Sequence, residues 1–261
     1  MISRRQFSLV CLAMLTTPLS TTLSSAEALP ITVGGYVFPP FVSIAADGSP
    51  KGLTIEMIDW LNEAQADYHF SFFLTSPARR FADFEAGHFD VMFFESPDWG
   101  WKGREFSIDA TEVFLLDYDL FVARKEDGRT QSFFQDLSGK RIAGMWGYHY
   151  AFAGFERDPG KLESEHGMIL VNDNRAAIEL VLAGRADMAI VARSYLEYYF
   201  AQTGQGVSGL LMSDTPDQIY RYRALVRADS PIEANQLFNW ISRAIDELGY
   251  RDRWMEAGGS L

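Results

Sequence analysis

AGHFDVMFF at residues 86–94 and AGRADMAIV at residues 183–191 follow one pattern. Each reads as the last turn of a helix, an Ala-Gly pair, two variable residues, an Asp and an apolar strand. Gly87 and Gly184 suit the left-handed turn that stops a helix, which a residue without Cβ adopts at no steric cost. Asp90 and Asp187 then stand at a strand entry, where a carboxylate can accept backbone N–H bonds. The residues after each Asp are continuously apolar, as in a strand covered on both faces. Two such junctions in equivalent places predict two halves of related topology.

Working outward from the first junction, Ile31–Val33 is a short strand. Leu53–Gln65 carries Leu53, Met57, Ile58 and Leu61 at helical spacing. Tyr68–Leu74 reads as a strand and Phe81–Ala86 as a short helix before Gly87. The order β-α-β-α-β belongs to an α/β sheet with parallel strands. A second series begins at Arg141–Met145, continues through Ala176–Ala183 and reaches Met188–Val191. Leu115–Arg124 and Tyr220–Arg227 are extended, alternating segments that flank it and are expected to cross between the halves. Ile232–Leu248, followed by Trp254, reads as a helical region returning to the first half. The expected architecture is therefore α/β and two-lobed, with two hinge-crossing strands. Lobe 1 takes residues 29–118 and 228–261, and lobe 2 takes 119–227. Two crossings restrict such a molecule to hinge motion, which suits ligand trapping.

The N-terminus predicts export. Arg4 and Arg5 precede a short apolar run, Phe7 to Leu19, and a Ser/Thr-rich stretch leads to Ala26-Glu27-Ala28, a small-x-small cleavage site. The run is shorter than the about 20 residues a spanning helix needs. Residues 1–28 are read as a signal peptide and the mature protein as periplasmic. Ser3-Arg4-Arg5-Gln6-Phe7 resembles a twin-arginine signal, and the same segment also suits an ordinary Sec signal. Cleavage removes Cys11, the single cysteine among 261 residues, so the mature chain can form no disulfide. It also removes two arginines for one glutamate, which leaves an already acidic chain (net −12) more acidic still. That balance opposes nucleic-acid binding, because phosphates are repelled at long range.

Four segments, in order, resemble the bacterial extracellular solute-binding proteins of family 3, the periplasmic amino-acid-binding type. ITVGGYVFPPFVSIAADGSPKGLTIEMIDWL (31–61) is similar to the family's opening strand, aromatic-Pro-Pro-Phe loop, Asp-Gly turn and Gly-led helix. FEAGHFDVMF (84–93) resembles the helix-Gly-x-x-Asp-strand unit. DLSGKRIAGMWGYHY (136–150) resembles the opening of the second lobe, and LVLAGRADMAIVARSYLEYY (180–199) its later helix and strand. The resemblance covers nearly all of the mature chain. It implies the type 2 periplasmic-binding fold, a small-molecule ligand, an inner-membrane ABC permease as partner and a monomer. Two departures concern the ligand. The family's Thr-x-x-Arg, whose Arg grips an α-carboxylate, is replaced by Glu95-Ser96-Pro97-Asp98-Trp99-Gly100-Trp101-Lys102-Gly103-Arg104, where only Lys102 or Arg104 could stand in. The family's Asp for the α-amino group falls at Ala192, followed by Arg193.

Ligands of open α/β sheets bind beyond the carboxyl ends of the strands. That rule selects four loops. Tyr36, Phe38 and Phe41 follow the first strand; Glu95, Trp99 and Trp101 follow the third; Trp146, Tyr148 and Tyr150 follow the first strand of the second half; Arg193 follows the last. Their aromatic faces can sandwich a flat or cationic group, or fill the cores. Trp99 and Trp101 alternate around Gly100, so only one is expected to face a ligand. Arg80, in Ser76-Pro77-Ala78-Arg79-Arg80, is the candidate carboxylate grip, and Glu95 the partner for an amine. The ligand-binding set is therefore Tyr36, Phe38, Arg80, Glu95, Trp99, Trp146, Tyr148 and Arg193. His69, His88, His149 and His166 show no zinc spacing, so no metal is expected. No Walker loop, G-x-S-x-G or G-x-G-x-x-G occurs, and no cofactor or catalytic residue is expected. The resemblance also leaves two alternatives. One is a periplasmic enzyme of the cyclohexadienyl-dehydratase kind, with Glu95 or His149 as acid. The other is a ligand-binding accessory of a sensor or dehydrogenase.

Overall fold

Two three-stranded parallel units with helices packed beside them arise where the sequence alternates short apolar runs with amphipathic stretches. In this computed structural model, residues 27–204 and 209–250 are described. The signal-like segment with Arg4, Arg5 and Cys11, and Trp254 near the other end, lie outside them. The first unit comprises β1 (Leu29–Gly35), the two-residue strands β2 (Ser43–Ile44) and β3 (Pro50–Lys51), α1 (Leu53–Ala64), β4 (Tyr68–Leu74), α2 (Arg80–Glu85) and β5 (Val91–Glu95). A short β6 (Ile108–Ala110) leads to β7 (Leu115–Arg124). The second unit holds β8 (Ile142–Met145), α3 (Pro159–His166), β9 (Met168–Val171), α4 (Asn174–Leu182), β10 (Met188–Ala192) and α5 (Arg193–Thr203). Then come β11 (Leu210–Met212), β12 (Gln218–Arg227) and α6 (Ala234–Glu247).

The strand order is β4-β1-β5-β12-β7-β10-β8-β9. In the first unit β1 lies between β4 and β5, parallel to both; in the second β8 lies between β9 and β10, parallel to both. Each unit is bordered by one antiparallel strand, β12 against β5 and β7 against β10. β12 belongs to both halves. Gln218–Tyr222 pair with β7, while Arg223–Val226 pair with β5. The two extended segments picked out in the sequence are thus neighbours in an antiparallel ribbon that joins the units.

The paired junctions close the same backbone bonds. Gly87 has φ 73° and Gly184 φ 69°. The His88 amide donates to the Asp83 carbonyl at 2.9 Å, and the Arg185 amide to the Leu180 carbonyl at 2.8 Å, the bond that closes a left-handed helix stop. Asp90 accepts the Thr32 amide at 2.8 Å and Asp187 the Arg141 amide at 2.8 Å, each tying the strand entry to the neighbouring strand. Asp90 also holds Arg227 at 2.7 Å, which fixes the end of β12 to the first unit.

β5 and β10 are buried throughout, as strands covered on both faces must be. α1 buries Leu53, Met57, Ile58 and Leu61, the predicted stripe. α6 buries Leu237, Ile241, Ala244 and Ile245 at the same spacing and packs on α1 and β12, so the C-terminal helix returns to the first unit. The Trp60 indole N–H donates to Glu247 at 2.9 Å, and Trp240 meets Tyr68 edge-on. No helix among the described residues is long and apolar enough to cross a membrane.

Candidate functional site

A cavity of about 500 Å³ lies where the two units face each other, within the range of small-molecule sites. Its lining comes from the carboxyl ends of the strands, as the topology requires. The first unit supplies Tyr36 and Phe38 after β1, the Ser76–Ala78 loop with Arg80 and Phe81 after β4, and Trp99, Gly100 and Arg104 after β5. The second supplies Trp146, Gly147, Tyr148 and His149 after β8, with Arg157 further along; Tyr220 rises from the shared ribbon. The walls touch across the gap. Phe38 meets Tyr148 edge-on at 6.3 Å, Trp99 meets Tyr220 at 5.0 Å, and Arg157 Nη2 donates to the Asp98 carbonyl at 3.3 Å.

Arg80 is the most constrained charge in the site. It opens α2, its side chain is only 12% exposed, and its guanidinium donates to the Pro77 carbonyl and, at 2.9 Å, to the Trp99 carbonyl. It lies 4.2 Å above the Phe81 ring and 5.6 Å from the Tyr36 ring centroid, so aromatic faces carry part of its desolvation. Its Nε stands 3.7 Å from Glu95 Oε2 and makes no hydrogen bond.

Glu95 ends β5 with no exposed surface, behind Arg80 rather than on the cavity wall. Burial raises its carboxyl to about 7, against the pull of the Arg80 charge. The Trp101 indole N–H, the Ser96 amide and the Tyr36 hydroxyl (3.5 Å) also favour the ionised form. Glu95 Oε1 and Trp101 Nε1 are both buried, and neither closes a hydrogen bond of good geometry.

Two further acids underlie the cavity floor on β7. Asp119 accepts the Tyr220 hydroxyl and, at 2.9 Å, the Gln218 amide; burial and the charge of Asp117 raise it to about 7 against those bonds. Asp117 accepts the Ser194 hydroxyl at 2.6 Å and the Tyr118 amide at 2.8 Å, and burial raises it too. Burial, Arg157 and Arg80 lower His149, which is therefore neutral at pH 7. No group of three or more His, Cys, Asp or Glu placed to hold a metal ion occurs among the described residues.

Six of the eight sequence-selected residues, Tyr36, Phe38, Arg80, Trp99, Trp146 and Tyr148, line this one cavity. Glu95 touches it only through Arg80 and Tyr36. Arg193 does not reach it: it opens α5, and its Nε pairs with Glu197 at 3.3 Å. Of the Trp99/Trp101 pair, Trp99 faces the cavity, and Trp101 is enclosed by Phe81, Phe84 and Phe106. Phe41 and Tyr150 belong to the cores. Phe81, Arg157 and Tyr220 line the cavity without having been singled out. Only Tyr220 carried a signal, as an inward position on an alternating strand.

Comparison with solved structures fixes the architecture. A substrate-binding protein of an ABC uptake transporter from Streptococcus pneumoniae, solved with bound histidine, superposes with a TM-score of 0.62 over 85% of this chain and 87% of its own, at 19% identity. A probable amino-acid ABC transporter extracellular-binding protein from Bacillus subtilis gives 0.63 over 87% and 96%, at 15% identity. The chain has the two-lobed periplasmic-binding-protein fold. A histidine kinase sensor domain similar to periplasmic binding proteins matches as well, at 0.59 over 88% and 94%, with 20% identity. No protein-family model and no curated protein sequence matches the chain. Within the periplasmic-binding-protein fold, the cavity lies in the cleft between lobes, and β7 and β12 are the strands that connect them.

Proposed function

We propose that this is an exported solute-binding protein that captures a small polar metabolite, an amino acid or a related amine or carboxylate, by closing two lobes on it. The observation that carries the reading is the interlobe cavity, whose walls come from both units and whose least exposed cation, Arg80, is held in place by backbone carbonyls. Lobe 1 is taken as residues 29–118 with 228–261 and lobe 2 as 119–227, with β12 shared. Tyr36, Phe38, Arg80, Trp99, Trp146 and Tyr148 contact the ligand, with Glu95 behind them. Function needs no bond making: ligand contacts to both lobes favour the closed state over the open one. The protein works as a periplasmic monomer that hands its ligand to an ABC permease. Supporting this are the signal-like N-terminus and the ABC-transporter proteins among its structural relatives. The likeness to a kinase sensor domain supports a second reading, in which the closed form is read by a sensor instead.

The test is a thermal-shift screen of amino acids, amines and carboxylates. A ligand at 100 times its Kd stabilises the native state by about 2.7 kcal/mol, which is several degrees for a protein of this size. A hit recovered chemically unchanged supports capture without turnover; a converted hit assigns the cleft to an enzyme. Loss of ligand uptake in cells lacking the gene separates transport from sensing.

A further inference from the structure

We infer that the cleft selects an organic anion with an apolar body, a carboxylate without an ammonium group; this rests on the solute-binding reading above. The charge on the cavity lining itself is one-sided, with the acids set beneath it. The chain carries a net charge of −12, yet the cationic side chains lining the cavity are Arg80, Arg104 and Arg157, and no Asp or Glu lines it. Arg104 and Arg157 make no ion pair among the described residues; each bonds a backbone carbonyl, Gly100 at 2.7 Å and Asp98 at 3.3 Å. Three guanidinium groups in one mouth of an acidic protein form a local positive field that draws anions in and turns amines away.

Arg80 supplies the grip. A guanidinium has five N–H groups. The Pro77 carbonyl takes one from Nη1 and the Trp99 carbonyl one from Nη2, while Nε is buried beside Glu95, so the second N–H of each Nη remains for a carboxylate. The two carbonyls also fix the plane of the group before a ligand arrives, which favours two parallel hydrogen bonds to a planar anion.

An ammonium group meets no acceptor of matching charge. Glu95 Oε2 is occupied by Arg80 and the Tyr36 hydroxyl, and its Oε1, which makes no hydrogen bond, is buried off the cavity wall. Asp119 is covered by Tyr220 and Gln218, and Asp117 by Ser194 and Tyr118. Each of these carboxylates is at most 3% exposed, so the acids of the site lie beneath its aromatic floor. The rings of Tyr36, Phe38, Trp99, Trp146, Tyr148 and Tyr220 present flat apolar surface to whatever Arg80 holds. A small, fully hydrated anion would leave those faces uncovered; an aryl or medium-chain acid would cover them.

The experiment compares ligands that share a skeleton and differ only in charge. Isothermal titration at pH 7.5 is run with benzoate, 3-phenylpropanoate, hexanoate and octanoate. The counterparts are L-phenylalanine, L-norleucine, 2-phenylethylamine and hexylamine, alongside the full amino-acid and polyamine set. At least one of the four acids is expected to bind ten-fold or more tighter than its amino-acid counterpart, with no binding by its amine. Arg157→Gln at the rim is expected to weaken the acid several-fold. Arg80→Met combined with Glu95→Gln, which removes both members of the buried pair, is expected to weaken it more than ten-fold while the protein still melts cooperatively. Zwitterions or amines that bind as tightly as the acids overturn the inference and leave the solute-binding reading standing. Acids whose affinity neither variant changes also overturn it. No binding across the whole set overturns both.

Discussion

Replacing Asp119 by Asn should abolish the pH dependence that this carboxylate imposes on the fold. Asp119 is 3% exposed on β7, with Asp117 two residues away and Asp217 nearby. Burial, then Asp117 and Asp217, raise its carboxyl from 3.8 to about 7, although Tyr220 and Gln218 donate to it. In the unfolded chain the proton leaves near pH 4, whereas in the native state it stays until about pH 7. Between those values the folded protein binds more protons, so its stability falls as pH rises through the window and levels off above it. At about 1.4 kcal/mol per pH unit, the full loss is roughly 4 kcal/mol. Asn keeps the shape and an oxygen for the Tyr220 hydroxyl but cannot ionise. Any fixed cost of its altered hydrogen bonds moves the whole curve without tilting it. Urea unfolding of both proteins at pH 4, 5, 6, 7 and 8 isolates the effect. The variant's stability relative to the native sequence should climb by roughly 4 kcal/mol from pH 4 to pH 8. A flat or falling difference would refute the reasoning.

Glu95 titrates near pH 7 beside Arg80, facing Tyr36, Trp101 and the Ser96 amide. Its proton frees the Arg80 charge, so carboxylate affinity should rise several-fold from pH 8 to pH 6, and Glu95→Gln should flatten that profile in titration calorimetry. His149 on the cavity wall is shifted toward its neutral form by burial, Arg157 and Arg80. Asp90→Ala leaves a part-buried Thr32 amide without its partner and Arg227 with Asp229 alone, and should cost about 1–3 kcal/mol in urea unfolding. Asp187→Ala exposes the Arg141 amide to solvent and should cost less; equal losses would contradict the difference in burial. Gly144→Ala puts a Cβ 2.4 Å from Met168 Cε and 2.7 Å from the Tyr150 hydroxyl, which accounts for about 1–3 kcal/mol of overpacking. An unchanged melting temperature for that variant would show that the second core can give way there.

The lobes were legible in the sequence because their signals are local. A helix stop, an Asp and an apolar strand sit within nine residues, and both copies close the same backbone bonds. The crossing strands were legible from alternation, and the cavity from the rule that loops at the carboxyl ends of strands converge. What escaped depends on distance in the chain. Arg157 reaches the cleft from an irregular segment after β8, where neither periodicity nor a strand end marks it. Arg193 has the right place in sequence, but α5 turns it toward Glu197. Glu95 was found as an unusual acid after an apolar strand, yet its burial behind Arg80 is set by packing that no spacing encodes. Asp117 and Asp119 share one face of LLDYDLFVAR, but nothing in that alternation singled them out. Their weight became apparent only when β12 laid Tyr220 and Tyr222 over them.

The shared ribbon bears on how such a protein can be re-engineered. Asp119 and Gln218 are register partners on β7 and β12, and everything between them in sequence that is described belongs to the second unit or its loops. That unit is therefore a single uninterrupted insert, entering and leaving the first through two adjacent positions. A graft made at this one register pair would exchange Trp146, Tyr148, His149 and Arg157 together while leaving Arg80 and its cradle untouched. The second unit's share of the cavity wall can thus be shuffled as a cassette, and chimaeras joined there would report what each lobe contributes to the proposed ligand binding.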